Sequence, residues 1–111
     1  MTIVNKSMVD GVNLTDSVVT YYTATDVRAV IQKATFTNDD TGIVTVTINL
    51  VPSGGSATYA NRITKEHSII GGDTWSCPDI VNHELEAGGF ISMVASVTNK
   101  IGCRISGYEV T

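Results

Sequence analysis

The chain has 111 residues, 16% of them charged, and a formal net charge of −4 at pH 7. A length near 100 residues fits one compact domain, and the seven Lys and Arg residues are scattered singly, so the contacts to phosphates that nucleic-acid binding needs are disfavoured. No apolar run approaches the roughly 20 residues of a membrane span, and the segment MTIVNKSMVDG lacks the apolar region of a signal peptide, so we expect a soluble protein that is not exported.

The composition favours strands over helices. Forty residues are Val, Ile or Thr, whereas only three are Leu. Branching at Cβ restricts the side chain in a helix and packs well on a pleated strand, which predicts an all-β protein. Polar groups come mainly from Ser, Thr and Asn, so much of the surface could be covered by neighbouring subunits without burying unpaired charges.

The N-terminal sixteen residues differ from the rest of the chain. Residues 1–16 mix Asn, Asp and Gly with isolated apolar positions, which predicts an N-terminal arm or irregular lead-in with room for one short strand. A single domain is then expected over residues 17–111. Its first strand is predicted at 18–23, where VVTYYT is rich in residues that favour strands.

Two further strands are predicted around the turn sequence NDDTG at residues 38–42. The first covers 27–37. The second covers 43–50, where apolar and polar side chains alternate, as in a strand with one buried face and one wet face. Pro52 ends this alternation because proline cannot donate a hydrogen bond to a strand ladder, and SGGS at residues 53–56 then predicts a flexible bend.

The C-terminal half predicts shorter elements. Residues 61–70 fit either a strand or a short helical turn. Two strands are expected at 90–98 and 101–110, with Asn99-Lys100 as a two-residue hairpin loop. Strands at such short spacing, separated by Gly, Pro and Asn, predict an antiparallel β-sandwich or jelly roll of about seven to nine strands.

No pattern of chemically reactive residues predicts an enzyme. The sequence has no Gly-x-Ser-x-Gly motif for a nucleophile, and Glu84 and Glu86 are expected to be solvated. Cys77 and Cys103 match neither a metal spacing nor a CxxC motif, so free thiols are favoured over a disulfide. We therefore predict no catalytic, cofactor-binding or metal-binding residues.

Four residues are candidates for contact with a partner. Tyr59 and Trp75 carry amphipathic rings that are typical of interface anchors, although a core position is favoured over a contact for Trp75 and is as good an interpretation as a contact for Tyr59. Asn61 and Arg62 follow the bend and place polar groups beside Tyr59.

Seven short segments, read in order, resemble a small β-sandwich domain found among structural proteins of tailed bacteriophages. They are YTA at 22–24, RAVI at 28–31, TN at 37–38, LVPSGGSA at 50–57, NR at 61–62, LEAG at 85–88 and SGYEV at 106–110. The resemblance implies that residues 29–37 and 44–50 pair with each other and that residues 106–110 close the sheet.

The resemblance also implies a virion component, assembled in the host cytoplasm and without enzymatic activity. The first hypothesis is a capsid decoration or cement protein that binds the major capsid protein as a homo-oligomer such as a trimer. The alternatives are a protein of the tail or of the head-to-tail connection and a carbohydrate-binding module that uses Tyr59 and Trp75. Neither nucleic acid nor a membrane is expected as a partner.

Overall fold

The computed structural model describes all residues from 1 to 111. It contains nine β-strands and one 3-10 turn, Tyr59–Asn61, between the fourth and fifth strands. The strands are β1 (Ile3–Asn13), β2 (Val19–Thr23), β3 (Arg28–Asn38), β4 (Val44–Val51), β5 (Arg62–Ile69), β6 (Thr74–Ser76), β7 (Glu84–Leu85), β8 (Phe90–Ala95) and β9 (Ile101–Val110).

The strands form two antiparallel sheets around one core. The long sheet has the order β1-β9-β3-β6, with β7 also paired to β3, and the short sheet has the order β2-β8-β4-β5. Most connections cross from one sheet to the other, and this interleaving is that of a jelly roll, which wraps two Greek keys around a common core. The predicted antiparallel sandwich or jelly roll of seven to nine strands is therefore confirmed.

The core follows from the period-two alternation of the strands. Val44, Val46 and Ile48 point inward from the short sheet and are fully buried. Phe36 and Ile105 of the long sheet belong to the same cluster of 22 buried residues. Full burial of one such side chain stabilises the fold by about 1.5–3 kcal/mol, so this cluster is the main source of stability.

The implied pairing of residues 29–37 with 44–50 is wrong, because β3 and β4 lie in different sheets. Asn38, at the end of β3, is the residue that directs the chain across. Its side chain is fully buried, and its Nδ2 donates to the carbonyl oxygens of Gly42 (3.0 Å) and Ile69 (2.8 Å). The turn thus ties the long sheet to the short sheet instead of folding back as a hairpin.

The last two strands also lie in different sheets. β8 ends at Ala95 rather than at Thr98, and the predicted hairpin loop at Asn99-Lys100 is wrong. Residues 96–100 cross between the sheets, with Asn99 at a positive φ of 61°, which Asn adopts more readily than most residues. β9 then lies between β1 and β3, so residues 106–110 are central and do not close a sheet.

The irregular lead-in expected at residues 1–16 is mostly a strand. β1 pairs with β9 along its length, and Met8 and Gly11 are extra residues at two bulges. Each bulge shifts the alternation by one position, which removes the period-two pattern from the sequence. Whether this strand also acts as an arm separate from a domain at 17–111 stays a prediction.

The open question at residues 61–70 is settled in favour of a strand. β5 pairs with β4, and Glu66 interrupts it at a positive φ of 48°. The backbone N–H of Glu66 donates to Oγ1 of Thr47 at 3.0 Å. This irregularity explains why the sequence there shows no clear alternation.

Candidate contact surface

The segment 52–61 folds back over the outer face of the short sheet. Asn49 points to this face, since its neighbour Ile48 points into the core. The segment covers Asn49, which is only 6% exposed. Its Nδ2 donates to the carbonyl oxygen of Thr58 (2.9 Å) and to Oδ1 of Asn61 (2.7 Å). A buried amide therefore anchors the segment to the sheet.

Asn61 fixes the shape of the 3-10 turn. Its Oδ1 also accepts the backbone N–H of Thr58 at 3.1 Å, and its Nδ2 donates to the carbonyl oxygen of Ser56 at 2.9 Å. Its amide is thus engaged at both ends within the chain. Asn61 positions the residues on either side of it, and its direct contact with a partner stays a prediction.

Ser53, at the start of the Gly-rich bend, contacts a neighbouring turn. The backbone N–H of Ser53 lies 3.4 Å from Oε1 of Glu86. Gly88 packs so closely that a Cβ there would lie 2.4 Å from the Ser53 hydroxyl oxygen, and its φ of +88° also favours glycine. The bend at residues 53–56 therefore contacts the turn before β8 at Ser53 and is otherwise exposed, and its flexibility stays a prediction.

Tyr59 and Arg62 form one unit on this support, in which Tyr59 is exposed and Arg62 is half-buried. The Tyr59 side chain is 84% exposed, and the guanidinium carbon of Arg62 lies 4.6 Å from the centre of its ring. Arg62 takes part in neither of the two ion pairs of the chain, and its Nε is buried without a hydrogen-bond partner. The unit offers a partner an aromatic face and a guanidinium without an internal carboxylate.

Trp75 lies apart from this unit, between the two sheets. Its ring stacks on His67, with ring centres 3.7 Å apart and planes inclined by 14°. It also packs against Phe36 at 5.5 Å and is partly buried against the core. The structure therefore brings Tyr59, Asn61 and Arg62 together and separates Trp75 from them.

The remaining titratable groups singled out in the sequence occupy two environments. Cys77 and Cys103 are free and buried. Burial raises the pKa of Cys103 to about 12 and also raises the pKa of Cys77, so the reactive thiolate form is scarce at neutral pH. Glu84 and Glu86 are exposed, and Glu84 makes a surface ion pair with Arg28.

A second surface feature was not predicted from the sequence. The outer face of the long sheet carries an open groove of about 520 Å³, whose lining includes Lys33, Thr35, Thr37, Gly102, Arg104 and Ser106. These residues come from β3 and β9, which are neighbours only after the chain has folded. A sequence pattern gives the face of each strand but not its neighbour, so no local signal predicts this groove.

Comparisons with known proteins identify no family for this chain. No family model matches the chain, and no curated protein matches it. A chain in the structure of infectious bursal disease virus, Gt strain, superposes with a TM-score of 0.49 at 11% sequence identity, over 97% of this chain and 32% of that one. This chain thus spans about a third of that chain's length. No helix in the structure is long and apolar enough to cross a membrane.

Proposed function

We propose that this protein is a structural component of a bacteriophage virion, and specifically a decoration protein that binds the outer surface of the capsid. The short segments that resemble phage structural proteins support the virion role. The jelly-roll fold is compatible with it, since this architecture occurs in viral capsid domains, although it also occurs in lectins.

The observation that carries the proposal is the Tyr59–Arg62 unit. Tyr and Arg are the residue types most often found as energetic anchors of protein interfaces. Here both are presented by a support that Asn49 and Asn61 hold rigid, so little conformational freedom is lost on binding. Carboxylate or carbonyl groups of the capsid protein are the complementary chemistry for Arg62.

The mechanism is added binding energy at junctions between capsid subunits. Each copy that touches two subunits opposes their separation, and many copies together oppose expansion and rupture of the shell. On the outer face of the long sheet, Thr35, Thr37 and Ser106 can hydrogen-bond across such a junction, and Lys33 and Arg104 can pair with carboxylates of the capsid protein. No catalytic step is part of this proposal.

Copy number in purified particles tests the capsid role. Quantitative mass spectrometry against the major capsid protein is expected to give hundreds of copies per particle. A dozen or fewer would instead fit the tail or the head-to-tail connection, and absence from particles would contradict any virion role.

The contact surface is tested by rebinding to shells that lack the protein. Tyr59→Ala and Arg62→Ala are each expected to weaken binding at least tenfold, whereas Tyr59→Phe, which keeps the ring, is expected to bind nearly as well as the unmodified protein. Ile70→Ala is a control, since this residue is 65% exposed and lies beyond the far end of β5. Equal binding by all four variants would rule out the Tyr59–Arg62 unit as the anchor. Binding of the protein to a glycan array that Tyr59→Ala abolishes would favour a carbohydrate-binding module instead.

A further inference from the structure

β1 is an unpaired edge of the long sheet. Its eleven residues pair with β9 on one side only, and all but two of them are exposed. Ile3 is 57% exposed and Val4 is 49% exposed. Val4 pairs with Glu109, which pairs in turn with the buried Ala29, so Val4 faces the inner side of the sheet and still remains half open to water.

The first part of β1 is a regular strand. No bulge occurs between Ile3 and Ser7, where the register with β9 is continuous. Natural edge strands are usually protected by charges, prolines or bulges, and here the only such residue before Met8 is Lys6. This stretch is therefore open to pairing with another strand.

The direction of its backbone groups follows from one hydrogen bond. The N–H of Thr111 donates to the carbonyl oxygen of Thr2 at 3.0 Å, which makes these two residues a hydrogen-bonded pair of the ladder. Hydrogen-bonded and non-hydrogen-bonded pairs alternate along antiparallel strands. The backbone N–H and C=O groups of Thr2, Val4 and Lys6 therefore point toward β9. Those of Ile3, Asn5 and Ser7 point away from β9, to the open side of the strand.

We propose that two copies of this chain pair through these edges, antiparallel and related by a two-fold axis at Val4. Ile3 of each copy then exchanges two backbone hydrogen bonds with Asn5 of the other, and the two long sheets become one continuous sheet. Such an interface is isologous, because the same stretch serves on both sides. The pairing does not depend on the proposed virion role.

Two features select this register over its neighbours. Centring on Val4 places the two half-exposed valine side chains against each other, and it pairs residues 1–7 of one copy with residues 7–1 of the other, all of which precede the bulge at Met8. Centring on Lys6 would set two ammonium groups directly opposite, which is destabilising. Centring on Asn5 would place Thr2 of each copy opposite Met8, the bulged residue of the other.

Disulfide trapping tests the register. In the proposed dimer, the two Val4 positions form a non-hydrogen-bonded pair with Cα atoms about 4.5 Å apart, within the range that a disulfide spans. Val4→Cys is expected to cross-link to itself under mild oxidation. Lys6→Cys is the matched control: its two copies would be offset by four residues, roughly 14 Å, and should stay uncrosslinked. The native cysteines do not interfere, because both are buried.

Light scattering tests the dimer without a new cysteine. The protein is expected to show twice the monomer mass at millimolar concentration, and Asn5→Pro is expected to return it to the monomer mass. Proline removes an N–H that points outward, so the ladder with β9 loses no bond, and an unchanged melting temperature at micromolar concentration checks that the fold is kept. Monomer mass at all concentrations, a trimer, or equal cross-linking of Val4→Cys and Lys6→Cys would overturn the proposal. If Val4→Cys cross-links to a different virion protein and never to another copy of this chain, the proposal that the partner is a second copy is likewise wrong.

Discussion

The two edges of the sandwich differ in whether side chains bridge the gap between the sheets. At the edge formed by β5 and β6, side chains bridge the gap: His67 of the short sheet stacks on Trp75 of the long sheet, and Oγ1 of Thr64 donates to Asp79, in the connection between β6 and β7, at 2.9 Å. At the edge formed by β1 and β2, Ile3 and several valines are exposed instead. We call these the closed edge and the open edge.

The difference separates stability from association. The bridging side chains at the closed edge, Thr64, His67 and Trp75, are buried or half-buried, so their contacts contribute to the folded state of a single chain. Apolar groups at the open edge contribute little to that state, but they are available to a second chain. Substitutions at the closed edge should therefore change the free energy of unfolding, whereas substitutions at the open edge should change the association of two chains.

The largest effect is expected at the closed edge. Trp75→Ala removes a ring that packs on Phe36 and His67, and we expect a loss of about 3 kcal/mol in the free energy of unfolding. Urea titration followed by far-UV circular dichroism measures it, since this is the only tryptophan and fluorescence is lost with it. A loss below about 1 kcal/mol would show that the stack does not close the edge.

A slightly smaller loss is expected for Asn38→Ala, where the long sheet is tied to the short one. The substitution leaves the carbonyl oxygens of Gly42 and Ile69 without their donor. Unpaired buried polar groups cost about 1–3 kcal/mol, so we expect a loss near 2 kcal/mol by the same titration. Thr37→Ala, one residue earlier and half-exposed, serves as the control and should change stability by less than about 0.5 kcal/mol.

A pH-dependent contact joins the sheets nearer the open edge. The Tyr22 hydroxyl donates to Oε2 of Glu109. Burial raises the pKa of Tyr22, and the hydrogen bond and the negative charge of Glu109 raise it further. As the pH rises through about 10, the unfolded chain loses this proton first, so stability is fully present below that pH and falls above it.

With Tyr22→Phe, the free energy of unfolding should fall less steeply above about pH 10 than in the unmodified protein. It should also lower stability at pH 7 by about 1–2 kcal/mol, because Glu109 loses its donor. Urea midpoints between pH 7 and pH 11 test both expectations. Burial of Cys103 contributes a loss of the same sign in both proteins, so the difference between the two curves isolates Tyr22. Parallel curves would contradict the assignment.

The smallest effect is expected at the open edge. Ile3→Ala removes a side chain that is mostly in water, so the free energy of unfolding at micromolar concentration should change by less than about 0.5 kcal/mol. A loss above 1 kcal/mol would mean that this edge is covered within a single chain, and the distinction between the edges would fail.

The sequence predicts strands better than it predicts their neighbours. Alternation at Val44, Val46 and Ile48 gives both the strand and its buried face, since side-chain direction depends only on the local backbone. Strand pairing depends on distant residues, and the implied partnership of β3 with β4 fails for that reason. β1 was missed because bulges at Met8 and Gly11 remove the alternation.

The candidate contact surface was predictable in part. A Tyr and an Arg beside a Gly-rich bend indicate an exposed contact, and the structure brings Tyr59 and Arg62 together. Sequence patterns could not show that Asn49 anchors the bend, because a lone polar residue in a strand usually faces water. Nor could they show that His67, on a different strand, covers Trp75.

The position of the protein in imaged phage particles tests the central claim most directly. Cryo-electron microscopy of particles with and without the protein is expected to show a difference density on the outer capsid surface, at junctions between subunits, into which the jelly roll fits with Tyr59 and Arg62 toward the shell. Difference density confined to the tail would contradict the decoration role, and particles with no difference density would contradict the virion role altogether.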